Sequence, residues 1–417
     1  MEEWKEYKIS NICNIKHGFA FKGQYFTDTK QIHICTTPGN FALKGGFKLD
    51  KPKYYNGPIP IDYILRPDDL IVTMTDLSKE GDTLGYSALV PQNQNHIFLH
   101  NQRIGLVENI QDEIDKHFLY WIMRTYKYQK YIVNHSSGST VKHTSPNSIG
   151  TYTFKAPSLK KQKEIASFLD NIETKIGLNR KINDNLEQQA QALFKSWFVD
   201  FEPFKDGKFV ESELGMIPKG WRVGTLNEIG NVVGGGTPSK SKPEYYCSDG
   251  IAWITPKDLS ISKTKFISNG EIDITELGYK NSSAKIMPKG SILFSSRAPI
   301  GYIAIALNDI TTNQGFKSVI PKKAGTAFIY LYLKDSVDSI ESQATGSTFK
   351  EASGALMKTQ KVLIPSGHIY DDFENLLRPI FKKQADSEIE CRNLSTIRDT
   401  LLPKLMSGKL KINDLTR

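Results

Sequence analysis

Lys160-Lys161-Gln162-Lys163-Glu164-Ile165-Ala166-Ser167-Phe168-Leu169-Asp170-Asn171-Ile172 opens a stretch whose apolar residues keep helical spacing. Ile165, Ile172, Leu186 and Leu193 fall at multiples of seven, flanked by Phe168, Leu169, Ile176 and Ile182, with Asn179 as the polar break. A helix from Lys160 to Phe198 would run roughly 55–60 Å at about 1.5 Å per residue. The pattern then returns 208 positions later: Phe373, Leu376, Leu377, Ile380, Leu394 and Leu401 occupy the places of Ile165, Phe168, Leu169, Ile172, Leu186 and Leu193. Ser387 breaks the second seam, and Pro379 should bend that helix near its start. Seams this apolar need a partner. The nearest is the other helix of the same chain, and a two-fold relation between repeats would lay the two antiparallel. Packing of each helix on another subunit is the alternative, and both arrangements can hold on different faces.

Working outward, what precedes each helix also repeats. Trp4, Ile9, Ile12, Asn14 and Gly18 match Trp221, Leu226, Ile229, Asn231 and Gly235, 217 positions on. Gly85-Tyr86 returns as Gly301-Tyr302, Asn101-Gln102 as Asn313-Gln314, and Gly138-Ser139-Thr140-Val141-Lys142 as Gly346-Ser347-Thr348-Phe349-Lys350. A period this long exceeds the roughly 20–50 residues of solenoid repeats, so it marks a duplicated pair of domains. Leu70-Ile71-Val72, Ala88-Leu89-Val90 and Ser291 to Phe294 read as strands; Phe118 to Met123, capped by Asp115, and Phe328 to Leu333 read as buried helices. The expected fold is α+β. Two similar globular bodies of mixed strands and helices (1–157 and 206–365) alternate with a central helix (158–205) and a C-terminal helix with its tail (366–417). The two helices should form an antiparallel coiled coil, and the whole a pseudo-two-fold internal repeat. Asp200 to Gly220 is a polar connection whose Phe201, Phe204 and Phe209 should dock on the helix ends.

Composition narrows the function. With 39% hydrophobic and 11% aromatic residues, the 417-residue chain can build real cores. Fifty-four Lys and Arg against 45 Asp and Glu leave a net charge of +9. Most of the excess falls on the two globular bodies. Such a balance favours a polyanionic partner, although an ordinary basic protein would also show it. Cys13, Cys35, Cys247 and Cys391 form no CxxC pair, which argues against a zinc module or a disulfide framework. No signal-like start is present, and the most apolar segment, Ile300 to Leu307, is too short to span a bilayer. The expected compartment is the cytoplasm, with no membrane partner.

Motifs for chemistry are missing. There is no P-loop and no GxGxxG after a strand; Gly234-Gly235-Gly236 runs into Thr237-Pro238 instead. The aromatic tetrads used for methyl transfer to an exocyclic amine are absent, and Pro67-Asp68 lacks a Glu-x-Lys at nuclease spacing. His96 and His100 are four apart, but Ile97-Phe98-Leu99 between them reads as strand core and no third ligand is near, so no metal is expected. Binding loops remain: Lys22–Lys30, Thr36–Lys53, Asp76–Thr83, Asn101–Arg103 and His135–Pro146, then Thr237–Tyr246, Ser295–Ala298, Thr311–Lys317 and Thr345–Ser353. Arginine suits guanine and glutamine suits adenine, while Lys, Ser and Thr suit phosphates. Arg103, Arg297, Gln102 and Gln314 are therefore candidate base readers, and Thr140, Lys142, Thr348 and Lys350 candidate backbone clamps. Lys22, Lys51, Lys79, His143, Ser239, Lys240, Lys242 and Tyr246 complete the candidate DNA-binding set. The competing reading is that residues matched in both copies, such as Asn101 and Asn313, cap a turn. Surfaces that read different sequences should differ, which favours Lys79–Asp82, Ser296–Pro299 and the Thr36–Lys53 loop. Tyr54, Tyr55, Tyr245 and Tyr246 are candidates for packing or for an interface.

This organisation resembles the specificity subunit of type I restriction-modification systems over nearly the full chain. The resemblance is carried by Trp4 with Lys8-Ile9, and by Trp221 to Ile229. It continues through Thr237-Pro238-Ser239 to Glu244-Tyr245-Tyr246, Trp253-Ile254 with Asp258-Leu259, and the paired Gly-Ser-Thr runs. The junction Ser196-Trp197-Phe198-Val199-Asp200-Phe201, Glu211-Ser212-Glu213-Leu214-Gly215, Ile217-Pro218-Lys219-Gly220-Trp221 and the closing Leu401 to Gly408 add to it. The first half departs most, since Phe19 to Thr27 lacks the Thr-Pro-Ser form. The resemblance implies two target-recognition domains, each reading one half of a bipartite site in double-stranded DNA, with helices that set the unread spacer. It implies two docked methyltransferase (modification) subunits that carry S-adenosylmethionine, restriction subunits as further partners, and no cofactor or catalysis in this chain. A methyltransferase or nuclease acting alone, or an assembly scaffold that reads no bases, are the alternatives.

Overall fold

The computed structural model describes residues 4–78, 80–346 and 350–414. By contacts the chain divides into two compact units, Met1–Lys175 with Asn393–Arg417, and Ile176–Arg392.

In the first unit, Lys5–Lys8 pairs antiparallel with Thr153–Ala156, closing the start of the body onto its end. A four-stranded sheet follows the order Asn14–His17, Ile104–Glu108, Leu70–Thr73, Ser87–Leu89. Leu70 to Val72 are all buried, as an unbroken apolar run requires when both faces are covered. A second four-stranded sheet joins Phe26–Thr27, Tyr54–Tyr55, His33–Thr36 and Ile97–His100, the last two parallel. Helix Lys116–Ile122 starts where the Asp115 carboxylate accepts from the Phe118 amide at 2.9 Å. Its Phe118, Leu119 and Trp121 fill one core with Ile165, Ala166 and Leu169 of the central helix and Leu402, Leu405 and Met406 of the C-terminal helix.

In the second unit, Arg222–Thr225 pairs with Lys361–Ile364. A five-stranded sheet runs Gly230–Gly234, Lys317–Pro321, Ile292–Ser296, Ile300–Ala306, Phe266–Ile267. Helix Thr326–Asp335 is buried along most of its length. Phe328 meets Phe194 and Phe198 of the central helix and Tyr370 and Phe373 of the C-terminal helix. The connection after Phe198 holds more structure than its polar composition suggests. Phe209–Ser212 and Gly215–Pro218 form a hairpin, and Phe201 and Phe204 pack their rings on Trp221 at 5.7 and 5.0 Å.

The central helix spans Leu159–Phe198 and the C-terminal helix Ile369–Met406, the latter continuing through Pro379. Within the second unit, rising numbers on one meet falling numbers on the other. Asn179 Nδ2 donates to Glu390 at 2.7 Å, Asn183 Nδ2 to the Gln384 carbonyl and Gln384 Nε2 to the Asn183 carbonyl, both at 3.2 Å. In the first unit, Arg398 reaches Glu173 at 2.7 Å. Of the eight seam positions, Ile165, Ile172 and Phe373 are buried, while Leu186, Leu193, Ile380, Leu394 and Leu401 are half-buried. The fully buried line shifts to Leu169, Ile176, Ala190 and Phe194, and to Leu377, Phe381 and Leu405. The cause is geometric: a straight helix drifts about 20° per heptad from a seven-residue repeat. Asn179, Gln384 and Ser387 are also buried, at 0, 2 and 1% exposure, so the middle of the pairing is polar.

Candidate nucleic-acid interface

The two units present similar loop clusters, each hung from a backbone crossing that only glycine allows. A Cβ on Gly18 would lie 2.1 Å from the Asn101 carbonyl oxygen, and one on Gly235 would lie 1.9 Å from that of Asn313. Real side chains cannot approach so closely, so both positions need a bare backbone. Asn101 and Asn313 then turn the chain. Their side-chain oxygens accept from the amides of Arg103 at 3.0 Å and Gly315 at 2.9 Å. These asparagines are thus turn residues. Gln102 and Gln314, next in line, are exposed.

In the first unit, the Met74 amide donates to the Arg103 carbonyl, and the Thr144 amide to that of Met74. Lys142 and His143 pair as a short strand with Asp76 and Thr75, and Thr75 Oγ1 lies 3.2 Å from His143 Nδ1. Gln102, Arg103, Lys142 and His143 therefore share one patch, with Thr140 exposed at the tip of the same hairpin. Lys22 follows the Phe19–Phe21 segment that bonds to His100 and Gln102. Asp76 closes the neighbouring loop, accepting from Ser78 N at 2.6 Å and from Thr83 N and Oγ1 at 2.5 and 2.6 Å. Burial pushes its carboxyl up, but these bonds outweigh that and hold it below its ordinary value.

The middle of the Thr36–Lys53 loop is tied to the body. The Lys44 carbonyl accepts from Arg124 Nε at 2.9 Å, Lys44 Nζ meets Asp399 at 2.8 Å, and Gly46 donates to the Ser87 carbonyl. A glycine pair with positive φ at Gly45 and Gly46 makes the turn. Lys51 is exposed on this loop, away from the contacts that tie the other candidates together.

In the second unit, the Ser296 amide donates to the Gly315 carbonyl at 2.7 Å, Ala352 to that of Ser296 at 2.9 Å, and Gln314 to Thr237 Oγ1 at 3.5 Å. Arg297, Gln314 and the bridged pair Thr345 and Glu351, with Lys350 next to it in the chain, are thereby adjacent. Glu351, which sequence reasoning did not single out, sits between two cations: 3.2 Å from Lys317 Nζ and 3.6 Å from Arg297 Nη1. Both Arg297 and Glu351 are over a third exposed, so the pair adds little stability.

Ser239, Lys240 and Lys242 are exposed on the next loop. Tyr246 is engaged in holding that loop, since its hydroxyl donates to the Pro238 carbonyl at 2.6 Å and its ring meets Trp253 at 5.7 Å. Tyr55 and Tyr245 are buried packing residues. Lys79 and Thr348 lie outside the described residues. His100 is buried and donates Nε2–H to the Ile104 carbonyl at 2.8 Å; burial pulls its pKa down to about 4. Among the described residues, no three His, Cys, Asp or Glu side chains gather as a metal site.

The chain belongs to the family described as the type I restriction modification DNA specificity domain, whose profile matches residues 1–188 and 218–382. It is 26% identical to the type I restriction enzyme HindI specificity subunit of Haemophilus influenzae, over 98% of this chain and 100% of that protein. It is 47% identical to the MjaIX specificity subunit of Methanocaldococcus jannaschii over 163 residues, 38% of this chain and 37% of that relative's length. The crystal structure of the type I restriction-modification system S subunit from M. genitalium superposes with a TM-score of 0.56 at 18% identity, covering 97% of this chain and 96% of that one. The chain is thus a sequence-specificity protein for DNA, and its fold is that of an S subunit.

Proposed function

We propose that each unit reads one half of a bipartite duplex site, that the two long helices form an antiparallel coiled coil setting the unread gap, and that these helices dock two methyltransferase subunits. Chemistry belongs to those partners, which carry S-adenosylmethionine. Restriction subunits join the same core, and the complex works in the cytoplasm. Consistent with this, among the described residues no helix is long and apolar enough to cross a membrane. The functional partition we adopt is recognition domains over 1–157 and 206–365, the spacer helix over 158–205, and the second helix and tail over 366–417.

One observation carries the reading. Both halves use the same glycine-under-carbonyl crossing, Gly18 with Asn101 and Gly235 with Asn313, to present an exposed glutamine beside a bridged pair with a lysine next to it in the chain. A shared scaffold with different loop residues is what two readers of different sequences require. Lys142 and His143 border the first cluster, Arg297, Glu351 and Lys350 the second. Lys22, Gln102, Arg103, Thr140, Ser239, Lys240, Lys242 and Gln314 complete the proposed surface, whereas Lys51 and Tyr246 have weaker claims on the contacts above.

The test is replacement of 1–157 by the corresponding part of another family member, in a host carrying the partner subunits, with methylated bases mapped genome-wide. The expected result is a motif changed in one half only. An unchanged motif, or one changed in both halves, would overturn the assignment.

A further inference from the structure

The contact between the second recognition body and the helices contains a feature that packing alone does not explain. Lys265, in the segment entering the edge strand Phe266–Ile267, is buried, its side chain 7% exposed. Its Nζ donates to Glu187 Oε2 of the central helix and to Gln384 Oε1 of the C-terminal helix, both at 2.8 Å. The ammonium also sits 3.4 Å from the Phe381 ring centroid and 4.3 Å from that of Tyr330. The backbone amides of Lys265 and Phe266 donate to the two oxygens of Glu388 at 2.9 and 3.0 Å. Glu187 is held again by Lys334 Nζ at 2.5 Å and by the Tyr330 hydroxyl at 3.2 Å, both on helix Thr326–Asp335.

Buried ion pairs rarely add net stability over apolar residues of the same volume, and their best-attested use is to choose one register among several. Around this cluster, Phe194, Phe198, Phe328 and Phe373 form a broad apolar contact, whose attraction is non-directional. Greasy surfaces of this kind hold a body on a rod without fixing its angle or its position along the rod. A charge that must meet both helices and one body at once does fix them. The first unit has a comparable arrangement. Arg124, its side chain 2% exposed, lies over Trp121 at 4.4 Å and meets Glu173 of the central helix, which Arg398 of the C-terminal helix also meets.

We propose that Lys265, through Glu187 and Gln384, is a positioning residue that sets the seat of the second recognition body on the helix pair, and thereby the single gap length tolerated between half-sites. Lys265 is no base reader on this account; it acts only through the placement of the loops that are. The proposal rests on the bipartite reading above.

The experiment expresses the double variant K265M/E187L with the methyltransferase partners and maps methylated sites. Met and Leu keep the apolar volume and remove both charges. The expected outcome is an unchanged pair of half-site sequences, with sites whose gap is one base pair longer or shorter methylated roughly 10- to 100-fold more than by the wild type, the scale of penalty that a misplacement of about 1 Å carries. K265R, which keeps the charge, should restore the single gap. A single gap in the double variant overturns the proposal. So does failure of that variant to fold, seen as loss of a cooperative unfolding transition, because the pair would then serve stability alone. Failure of the bipartite reading itself looks different: the wild-type chain would direct no two-part motif.

Discussion

At the scale of single residues, Arg297 and Lys350 should separate two kinds of contact. Arg297 lies beside Glu351, and a planar fork beside a carboxylate retains an edge for a guanine. Arg297→Ala should cost about 1–3 kcal/mol at one base pair and relax the preference there. Lys350 is an exposed cation, suited to phosphate. Lys350→Ala should weaken binding on all sequences alike and lower the salt slope by about 1. Binding isotherms of the assembled complex on matched and mismatched duplexes, across a salt series, check both; equal losses on all sequences for Arg297→Ala would remove it as a reader. The type of residue in each loop was legible in the chain, because Arg, Lys and Gln stand where turns are dense. Partners were not. Nothing local tells that Asn101 bonds its own turn, or that Glu351 faces Arg297 some 54 positions away in numbering (351 against 297).

At the scale of elements, the helices were the most legible part, since apolar spacing marks the central one from Lys160 to Phe198 and it is found from Leu159 to Phe198. The buried line was less so. A seven-residue count followed the wrong strip for half a helix, and the polar middle looked like a simple interruption. In fact Gln384 is a junction: it accepts from Lys265 and donates to Glu187 and to the Asn183 carbonyl. Gln384→Ala would take one buried bond from each of these groups, so it should destabilise the chain by about 1–3 kcal/mol. A lower urea midpoint at constant slope is the expected result; an unchanged midpoint would mean that water takes over the bonds. The hairpin Phe209–Ser212 with Gly215–Pro218 was missed because its strands are only four residues each, too short to show a period. Its pairing is set by a turn at Gly215 rather than by a hydrophobic period.

At the scale of the whole molecule, the absence of catalytic motifs in the sequence and the membership of the DNA specificity family lead to one expectation. The purified chain, given labelled S-adenosylmethionine and DNA, should transfer no methyl group until its partner subunits are added. Turnover by the chain alone would refute the division of labour. The offsets in the sequence include two crossings that the structure builds alike, Gly18 with Asn101 and Gly235 with Asn313, because matched turns keep their order. The tie of the Thr36–Lys53 loop to the body was not legible in the sequence, since its contacts are to Arg124 and Asp399, 80 and 355 positions from Lys44. The crossings at Gly18 and Gly235 have a last implication. Each fixes where a loop leaves the core but says nothing about which side chains that loop carries. Genetic exchange or drift in the fingertips could then give a cell a new address on its chromosome while the wrist stays unchanged.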